Sequence, residues 1–306
     1  MLIKIGTRGS KLALVQSNWI KKKIENRRPH ARVELVKIKT VGDKILDSPL
    51  SKIGGKGLFV KEIEDALLSK RIHVAVHSMK DVPAELPEGL TISAFPERED
   101  PRDALISSEN LKIEQLPVGA CVGTSSLRRA AQLLHLRPDL DIVSLRGNID
   151  TRLKKLDSGE MQAIILASAG LKRLGLWNRG FQAISIKQML PAIGQGALGL
   201  EVRSDDNRTI EILDFLNHKT TELTVRAERA FLKRLEGSCQ VPVAAFAGLN
   251  GEELHMQGMV AELDGSKIIR DEIVGNKDEA AEIGINLAEK LSSAGADRIL
   301  ACIYGR

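Results

Sequence analysis

The chain has 306 residues, of which 43% are hydrophobic and 28% charged, and its formal net charge is +5. This length predicts two or three domains, and the composition is typical of a globular protein. No run approaches 18 uncharged apolar residues, and Met1 leads directly into LIKIG without an apolar signal segment, so we expect a cytoplasmic protein. Only 3% of the residues are aromatic, which argues against a nucleic-acid groove with stacking platforms.

The chain contains three cysteines, Cys121, Cys239 and Cys302. Their odd number and their spacing argue against a disulfide framework or a zinc site. Cys121 and Cys302 lie in apolar runs and are predicted to be core residues. Cys239 follows Ser238 in a predicted turn between a helix and a strand, where it is either a partly buried turn residue or an exposed thiol with a chemical role.

The first 96 residues alternate predicted strands with predicted helices. The strands are LIKIG (2–6), VELVKIKT (33–40), IHVAV (72–76) and TISAF (91–95), with helices opened by Ser10 and running from about Leu58 to Ser69. This alternation is typical of βαβ units and a mainly parallel sheet. Residues 41–57 are rich in Gly, Ser, Pro, Asp and Lys and form a long connection, in which we interpret Lys44–Gly55 as a mobile lid.

The polar segment PEREDPRDA at 96–104 is predicted to cross into a second series of strands and helices. Its strands are GACVG (119–123), DIVSL (141–145) and QAIILA (162–167). Residues 191–201 break the pattern and are expected to return the chain to the first domain. Two such crossings predict a hinged pair of lobes with a cleft between them.

From about Thr220 the pattern changes to one helix, two hairpins at Asn250-Gly251 and Asp264-Gly265, a helix from about Lys277 to Ala294, and a last strand, RILACIYG (298–305). We therefore predict an α/β protein of three domains. The first comprises residues 1–96 with 194–217, and the second comprises 97–193. The third, 218–306, is a small α+β domain with a three-stranded antiparallel sheet that carries Cys239.

Four arginines mark two predicted helix starts in the second domain. Arg128 and Arg129 lie in GTSSLRR, and Arg146 and Arg152 lie in SLRGNIDTR. Strand-end loops bind ligands in open α/β sheets, and helix N-termini offer free N–H groups to anions. A solvated basic helix face is the alternative, but the neighbouring cap and turn residues favour an anion site.

The segment HSMKDVP at 77–83 follows a strand that is predicted to be buried. Catalytic side chains collect at such strand ends, here Ser78, Lys80 and Asp81. Asp81 is either a turn aspartate before Pro83 or an ionised carboxylate that pairs with a cationic group on a substrate. His77 is interpreted as a packed or capping histidine.

Two glycine-rich segments resemble nucleotide-binding loops without matching their context. GQGALG at 194–199 fits G-x-G-x-x-G, but the residues that follow are strand-like. IGGKGLFVKE at 53–62 lacks the Ser or Thr that follows the lysine of a phosphate-binding loop. Neither segment predicts a nucleotide site.

The ordered set of these segments resembles the porphobilinogen deaminase family, also called hydroxymethylbilane synthase, over essentially the whole chain. The residues that carry the resemblance are GTRGSKLALVQS (6–17), KIGGKGLFVKEIE (52–64), HSMKDVP (77–83), EREDPRDA (97–104), GTSSLRR (123–129), SLRGNIDTRL (144–153), LPAIGQGALGLE (190–201) and LEGSCQVP (235–242). The sequence departs from the family at Ser238, where a second glycine is usual, and we expect a small local change there.

The resemblance implies that the first two domains look like a type II periplasmic-binding-protein pair with mainly parallel sheets. It implies a dipyrromethane cofactor bound to Cys239 through a thioether. It also implies that four porphobilinogen molecules are condensed onto this primer with loss of ammonia, and that hydrolysis then releases hydroxymethylbilane for haem synthesis. We expect no metal, no nucleic-acid or membrane partner, and a monomer.

The resemblance also assigns roles to individual residues, with Asp81 as the catalytic residue. The expected cofactor-binding residues are Cys239, Ser78, Lys80, Thr124, Ser126, Arg128, Arg129, Gly147 and Arg152. The expected substrate-binding residues are Arg8, Ser10, Gln16, Lys52, Lys56, Phe59, Ser125, Arg146 and Gln195. Fixed cations suit this chemistry because each pyrrole unit carries two carboxylates, which guanidinium groups bind through paired hydrogen bonds.

Two other functions remain as alternatives. A non-catalytic anion-binding or amino-acid-binding protein would explain the arginines, but not the third domain with its cysteine. A nucleic-acid-binding protein would bind with a steep dependence on salt and would ignore porphobilinogen.

Overall fold

The computed structural model describes residues 2–44, 60–176, 180–235 and 241–305. By its internal contacts the chain divides into two units. The first unit comprises Met1–Glu99 and Ala197–Glu222, and the second comprises Asp100–Gly196 and Leu223–Arg306. The predicted division into three domains stays a prediction.

The first unit is built on a five-stranded sheet in the order β2-β1-β3-β10-β4. Its strands are β1 (Leu2–Thr7), β2 (Arg32–Lys37), β3 (Val74–Ser78), β4 (Leu90–Ala94) and β10 (Leu198–Arg203). Its helices are α1 (Lys11–Arg27), α2 (Val41–Lys44), α3 (Lys61–Leu68) and α7 (Asn207–Leu213). β1 pairs in parallel with β2 and β3, whereas β10 is antiparallel to β3 and β4.

Apolar side chains at helical and strand spacing form the core of this unit. Ile20 and Ile24 are one turn apart on α1, and Ile3 and Ile5 share one face of β1; all four are fully buried. The sheet is therefore held against α1 by one apolar stripe. Because β1 and β3 are parallel, their carboxyl ends lie at the same edge of the sheet.

The second unit contains a sheet of the same design, in the order β7-β6-β8-β5-β9. Its strands are β5 (Asp103–Ser107), β6 (Cys121–Gly123), β7 (Asp141–Val143), β8 (Ala163–Ala167) and β9 (Gln182–Ala183). Its helices are α4 (Leu127–Leu136), α5 (Ile149–Asp157) and α6 (Ser168–Arg173). β6 pairs in parallel with β7 and β8, and β5 is the antiparallel strand.

The second unit also contains a three-stranded antiparallel sheet, as predicted. Its strands are β11 (Val243–Asn250), β12 (Glu253–Ala261) and β13 (Ile268–Asn276), covered by α8 (Lys219–Arg234) and α9 (Ala280–Leu291). A side chain at Gly284 of α9 would begin 2.1 Å from the carbonyl oxygen of Ala227, so glycine permits the close approach of the two helices. Met259 of β12 shares a small apolar core with Ala131 of α4, which joins the two sheets of this unit.

The predicted final strand is wrong, because residues Asp297–Tyr304 form a helix, α10. Ile299 and Leu300 are 5% exposed, and Ile303 and Tyr304 pack against the same core, which is a helical spacing. Cys302 consequently lies on the exposed side of α10 and is not a core residue. Cys121 is half-buried.

The mixed α/β fold with two mainly parallel sheets and one antiparallel sheet is confirmed. The predicted lid at Lys44–Gly55 lies, apart from Lys44 itself, outside the described residues. Within the described ranges, no helix has the length and apolar character needed to cross a membrane.

Candidate active site

A pocket in the first unit collects five of the predicted site residues at the carboxyl ends of β1 and β3. Arg8 follows β1, Ser10 and Gln16 lie in the first turns of α1, and Ser78 and Asp81 end β3 and the short turn after it. The remaining lining residues are Leu12, Ala13, Val60, Ile63, Val76 and His77. The Asp81 carboxylate therefore shares the pocket with hydroxyl, amide and guanidinium groups and with several apolar side chains.

Local hydrogen bonds fix several of these side chains. Ser10 caps α1, and its Oγ accepts a hydrogen bond from the backbone N–H of Ala13 at 3.3 Å. Gln16 is 4% exposed, and its Nε2 donates to Ser78 Oγ at 3.1 Å. Asp81 is half-buried in the 3-10 turn Met79–Asp81. The preceding residue of this turn, Lys80, is also half-buried and places a cation next to the Asp81 carboxylate in the chain.

One lining residue of this pocket, His77, belongs to a buried acid–histidine group. His77 Nε2 is 2.8 Å from Glu201 Oε2, and the two side chains are 5% and 1% exposed. Glu64 on α3 is also buried. Burial, together with the negative charges of Glu201 and Asp65, raises the pKa of Glu64 to about 7, although His77 opposes this rise.

In the second unit, Arg128 and Arg129 converge on the buried carboxylate of Asp103. Arg128 Nη1 donates to Asp103 Oδ2 at 2.7 Å, and Arg129 donates to Oδ1 from Nε at 3.0 Å and from Nη2 at 2.8 Å. Burial alone would raise the pKa of Asp103, but the two guanidinium groups outweigh it and hold this pKa well below its usual range. Two cations share one anion, so the group carries a net positive charge.

Further polar groups complete the surroundings of these arginines. Gln195 is fully buried, and its Nε2 donates to Asp103 Oδ1 at 3.0 Å and to the Pro101 carbonyl at 2.7 Å. Arg129 Nη1 donates to the Ile165 carbonyl at 3.0 Å. Arg128 Nη1 also donates to the Leu190 carbonyl at 2.7 Å. The three predicted site residues are thereby fixed in one buried network.

The loop before α5 contains Arg146, which is half-buried, and accepts a hydrogen bond from Arg152. Asn148 caps α5 by accepting from the Thr151 N–H at 2.9 Å, and Arg152 Nε donates back to the Gly147 carbonyl at 2.9 Å. Gly147 has a φ of 108°, and a Cβ there would lie 2.8 Å from a side-chain carbon of Thr151, so this turn requires glycine.

The loop before α4 contains the predicted hydroxyl groups. Thr124 Oγ1 accepts from the Ser126 N–H at 3.2 Å, and Ser125 Oγ donates to the Leu145 carbonyl at 2.9 Å. The hydroxyl of Ser125 also lies 2.9 Å from that of Ser144. The loop before α4 and the loop before α5 are thus tied together within the second unit.

The structure therefore places the predicted residues in two groups, one in each unit. Lys52, Lys56, Phe59, Ser238 and Cys239 lie outside the described residues. Sequence reasoning missed Asp103, Glu64 and Glu201. Two adjacent buried arginines require a counter-charge, which was a signal for a nearby carboxylate, and EREDPRDA offered one in Asp103.

Two family models match the chain. The model described as "Porphobilinogen deaminase, dipyromethane cofactor binding domain" matches residues 3–211. The model described as "Porphobilinogen deaminase, C-terminal domain" matches residues 222–293. Together they span both units of the structure.

Curated bacterial proteins named porphobilinogen deaminase are similar to this chain. The protein of Pelobacter propionicus is 53% identical over 304 residues, which is 99% of this chain and 98% of the relative. The protein of Syntrophotalea carbinolica is 55% identical over 98% of this chain and 96% of its own length. The protein of Geobacter sulfurreducens is 54% identical over 99% of this chain and 95% of its own length.

Solved structures of binding proteins show a weaker likeness. A TRAP periplasmic solute binding protein from Desulfovibrio salexigens is 12% identical over 76% of this chain and 77% of its own, with a TM-score of 0.44. The family models and the full-length relatives are decisive: the chain belongs to the porphobilinogen deaminase family of enzymes, and residues 3–211 match its dipyrromethane cofactor binding domain.

Proposed function

We propose that this chain condenses four porphobilinogen molecules head to tail onto a dipyrromethane primer held by Cys239, and then releases hydroxymethylbilane by hydrolysis. The observation that carries the proposal is the pocket at the ends of β1 and β3. There one carboxylate, Asp81, lies with Arg8, Ser10, Gln16 and Ser78. This donor set suits a ligand with carboxylate groups and one reacting cationic centre.

Asp81 is proposed as the catalytic residue. When the amine leaves the aminomethyl group of porphobilinogen, positive charge develops on the pyrrole ring. A carboxylate that accepts the pyrrole N–H hydrogen bond stabilises this charge in the transition state. The hydrogen bond from Gln16 Nε2 to Ser78 Oγ orients the neighbouring hydroxyl, so the pocket is prepared before the substrate arrives.

The two loops of the second unit are proposed to bind pyrrole carboxylates. The buried Arg128–Arg129–Asp103 group has a net positive charge, and both arginines lie in the first turn of α4, where the helix dipole also favours an anion. Thr124, Ser125 and Ser126 provide neutral donors in the same loop. Arg146 and Gly147 lie in the second loop, Arg152 lies in the first turn of α5, and Gln195 donates a hydrogen bond to Asp103.

These residues fit a dipyrromethane group, because its carboxylates require fixed cations and hydroxyl donors. When bound, this group supplies the free pyrrole carbon onto which the chain is extended. Cys239 is proposed to anchor it permanently, since a thioether does not take part in thiol–disulfide exchange. Lys52, Lys56 and Phe59 are proposed to contact the substrate, and Lys80 is proposed to bind a carboxylate of the primer.

The remaining parts of the proposal concern the whole molecule. We propose three domains, with residues 1–96 and 194–217, 97–193, and 218–306, and a monomer that works in the cytoplasm. No nucleic-acid or membrane partner is proposed.

The test is incubation of the purified protein with porphobilinogen, followed for ammonia and for uroporphyrin after cyclisation and oxidation. We expect stoichiometric ammonia release and uroporphyrin formation. As a matched control, Asp65→Asn replaces an exposed carboxylate on α3 and is expected to keep full turnover. If the native protein bound porphobilinogen without releasing ammonia, the alternative of a binding protein would replace this proposal.

A further inference from the structure

Three buried titratable side chains in the first unit have no place in the proposed chemistry. They are Glu64 on α3, His77 on β3 and Glu201 on β10, and they are 7%, 5% and 0% exposed. His77 and Glu201 are joined at 2.8 Å. We name these residues the acid–histidine cluster.

The acid–histidine cluster contains two carboxylates and a single base. Glu64 Oε1 and Glu201 Oε1 are buried and find no hydrogen-bond partner among the described residues. An unpartnered buried carboxylate oxygen is costly, and a shared proton removes most of that cost. The pKa of Glu64, raised to about 7 by burial and by Glu201, agrees with a proton that is exchanged near neutral pH.

Other charges near α3 do not replace this proton. α3 packs on β1, β3, β4 and β10. The other titratable or charged side chains on these elements are Lys4, Lys61, Glu62, Asp65 and Arg203. Arg203 Nη1 donates to the carbonyls of Leu67 and Ile72, its Nη2 pairs with Asp206, and Lys61 and Asp65 are exposed. His77 is the base that is hydrogen-bonded to Glu201, and it also acts electrostatically on Glu64, whose pKa it lowers.

The acid–histidine cluster reaches the pocket through His77. His77 lines the same pocket as Asp81 and directly precedes Ser78, whose Oγ accepts a hydrogen bond from Gln16. Glu64 and Glu201 do not line the pocket, and Glu201 is joined to His77 by a hydrogen bond. Within the described residues, His77 is therefore the member of the cluster that contacts the pocket.

We propose that the acid–histidine cluster stores one exchangeable proton and passes it through His77 to and from the ligand at Asp81. This inference rests on the proposed function. In each condensation the C–N bond of the aminomethyl group breaks and its electron pair stays on nitrogen. The methylene carbon bonds to the free pyrrole carbon, which loses a proton. The cluster takes up this proton and returns it to ammonia, which leaves as ammonium, so no net proton is consumed.

Infrared spectroscopy tests, without turnover, whether the acid–histidine cluster holds an exchangeable proton. Holoenzyme with carbon-13 glutamate should show a protonated carboxyl band that titrates near neutral pH, and this band should be missing in Glu64→Gln. If the native holoenzyme had no such band between about pH 5 and 9, across the ordinary range of histidine and raised carboxyl pKa values, the proposal would be overturned.

Kinetics tests the transfer. Glu64→Gln should lower kcat by about 10- to 100-fold with little change in KM, and should remove one ionisation from the pH profile of kcat. Lys61→Gln, at an exposed position on the same helix, should keep the native profile. An unchanged profile and kcat in folded Glu64→Gln would refute the transfer. If the native protein showed the titrating carboxyl band but released no ammonia, the stored proton would be supported and the proposed function would be contradicted.

Discussion

Replacement of Asp103 by asparagine should destabilise the second unit strongly. The Asp103 carboxylate accepts hydrogen bonds from Arg128 Nη1, from Arg129 Nε and Nη2, and from Gln195 Nε2, over 2.7 to 3.0 Å. Asp103 is fully buried, and both arginines are at most 6% exposed. Removing the anion leaves two buried cations without compensation, which costs about 3–5 kcal/mol of unfolding free energy.

Urea unfolding followed by circular dichroism measures this loss. The matched control is Asp139→Asn, because Arg137 donates two hydrogen bonds to Asp139 at 2.7 and 2.6 Å in a pair that is 19% and 29% exposed. Solvent screening predicts a far smaller effect there.

The difference between the native protein and Asp103→Asn also has a defined pH dependence. The pKa of Asp103 is lowered on folding, so its contribution is present above the unfolded value of 3.8 and is lost as the pH falls further, through the folded value. The difference should therefore persist from about pH 8 to 4. If Asp103→Asn and Asp139→Asn lost equal stability, the reasoning about the buried group would be refuted.

Three further predictions concern single residues in both units. Asp81→Ala should abolish nearly all ammonia release while the intact mass retains the pyrrole adduct, and near-normal turnover would contradict its catalytic role. Because the pKa of Glu64 is raised from 4.5 to about 7, the native protein should lose up to about 3 kcal/mol of unfolding free energy as the pH rises across that interval. Glu64→Gln should not show this loss. Urea-unfolding curves of the native protein that coincide at pH 5 and pH 8 would count against the prediction. Arg129→Lys should lower the urea midpoint more than Arg128→Lys, since Arg129 donates from three nitrogens and Arg128 from Nη1 alone in the described structure, and equal midpoints would argue otherwise.

Strand ends explain why part of the site was predictable from the sequence. Ser78 and Asp81 follow a short apolar run, which predicted a strand end, and Arg8 follows another, so the parallel pairing of β1 with β3 brings them to one edge. The structure places all three in one pocket. Local signals were sufficient here, because each side chain lies at the end of its own strand.

Long-range partners explain why the rest was not predictable. The position of Asp103 depends on the antiparallel pairing of β5 with β8, and no local pattern specifies that register. Glu64 and Glu201 lie far apart in the chain and approach only because α3 packs on the sheet. By composition, the apolar run RILACIYG could form a strand or a buried helix. It forms a helix that packs its apolar side chains against the core of the three-stranded antiparallel sheet.

Intact-mass spectrometry, combined with ammonia measurement, tests the central proposal most directly. The purified protein should carry an acid-stable adduct of two pyrrole units that is missing in Cys239→Ala. On addition of porphobilinogen, the mass should grow by successive pyrrole units, with one ammonia released for each. A protein without such an adduct, or an adduct that survives Cys239→Ala, would contradict the proposed tethered condensation.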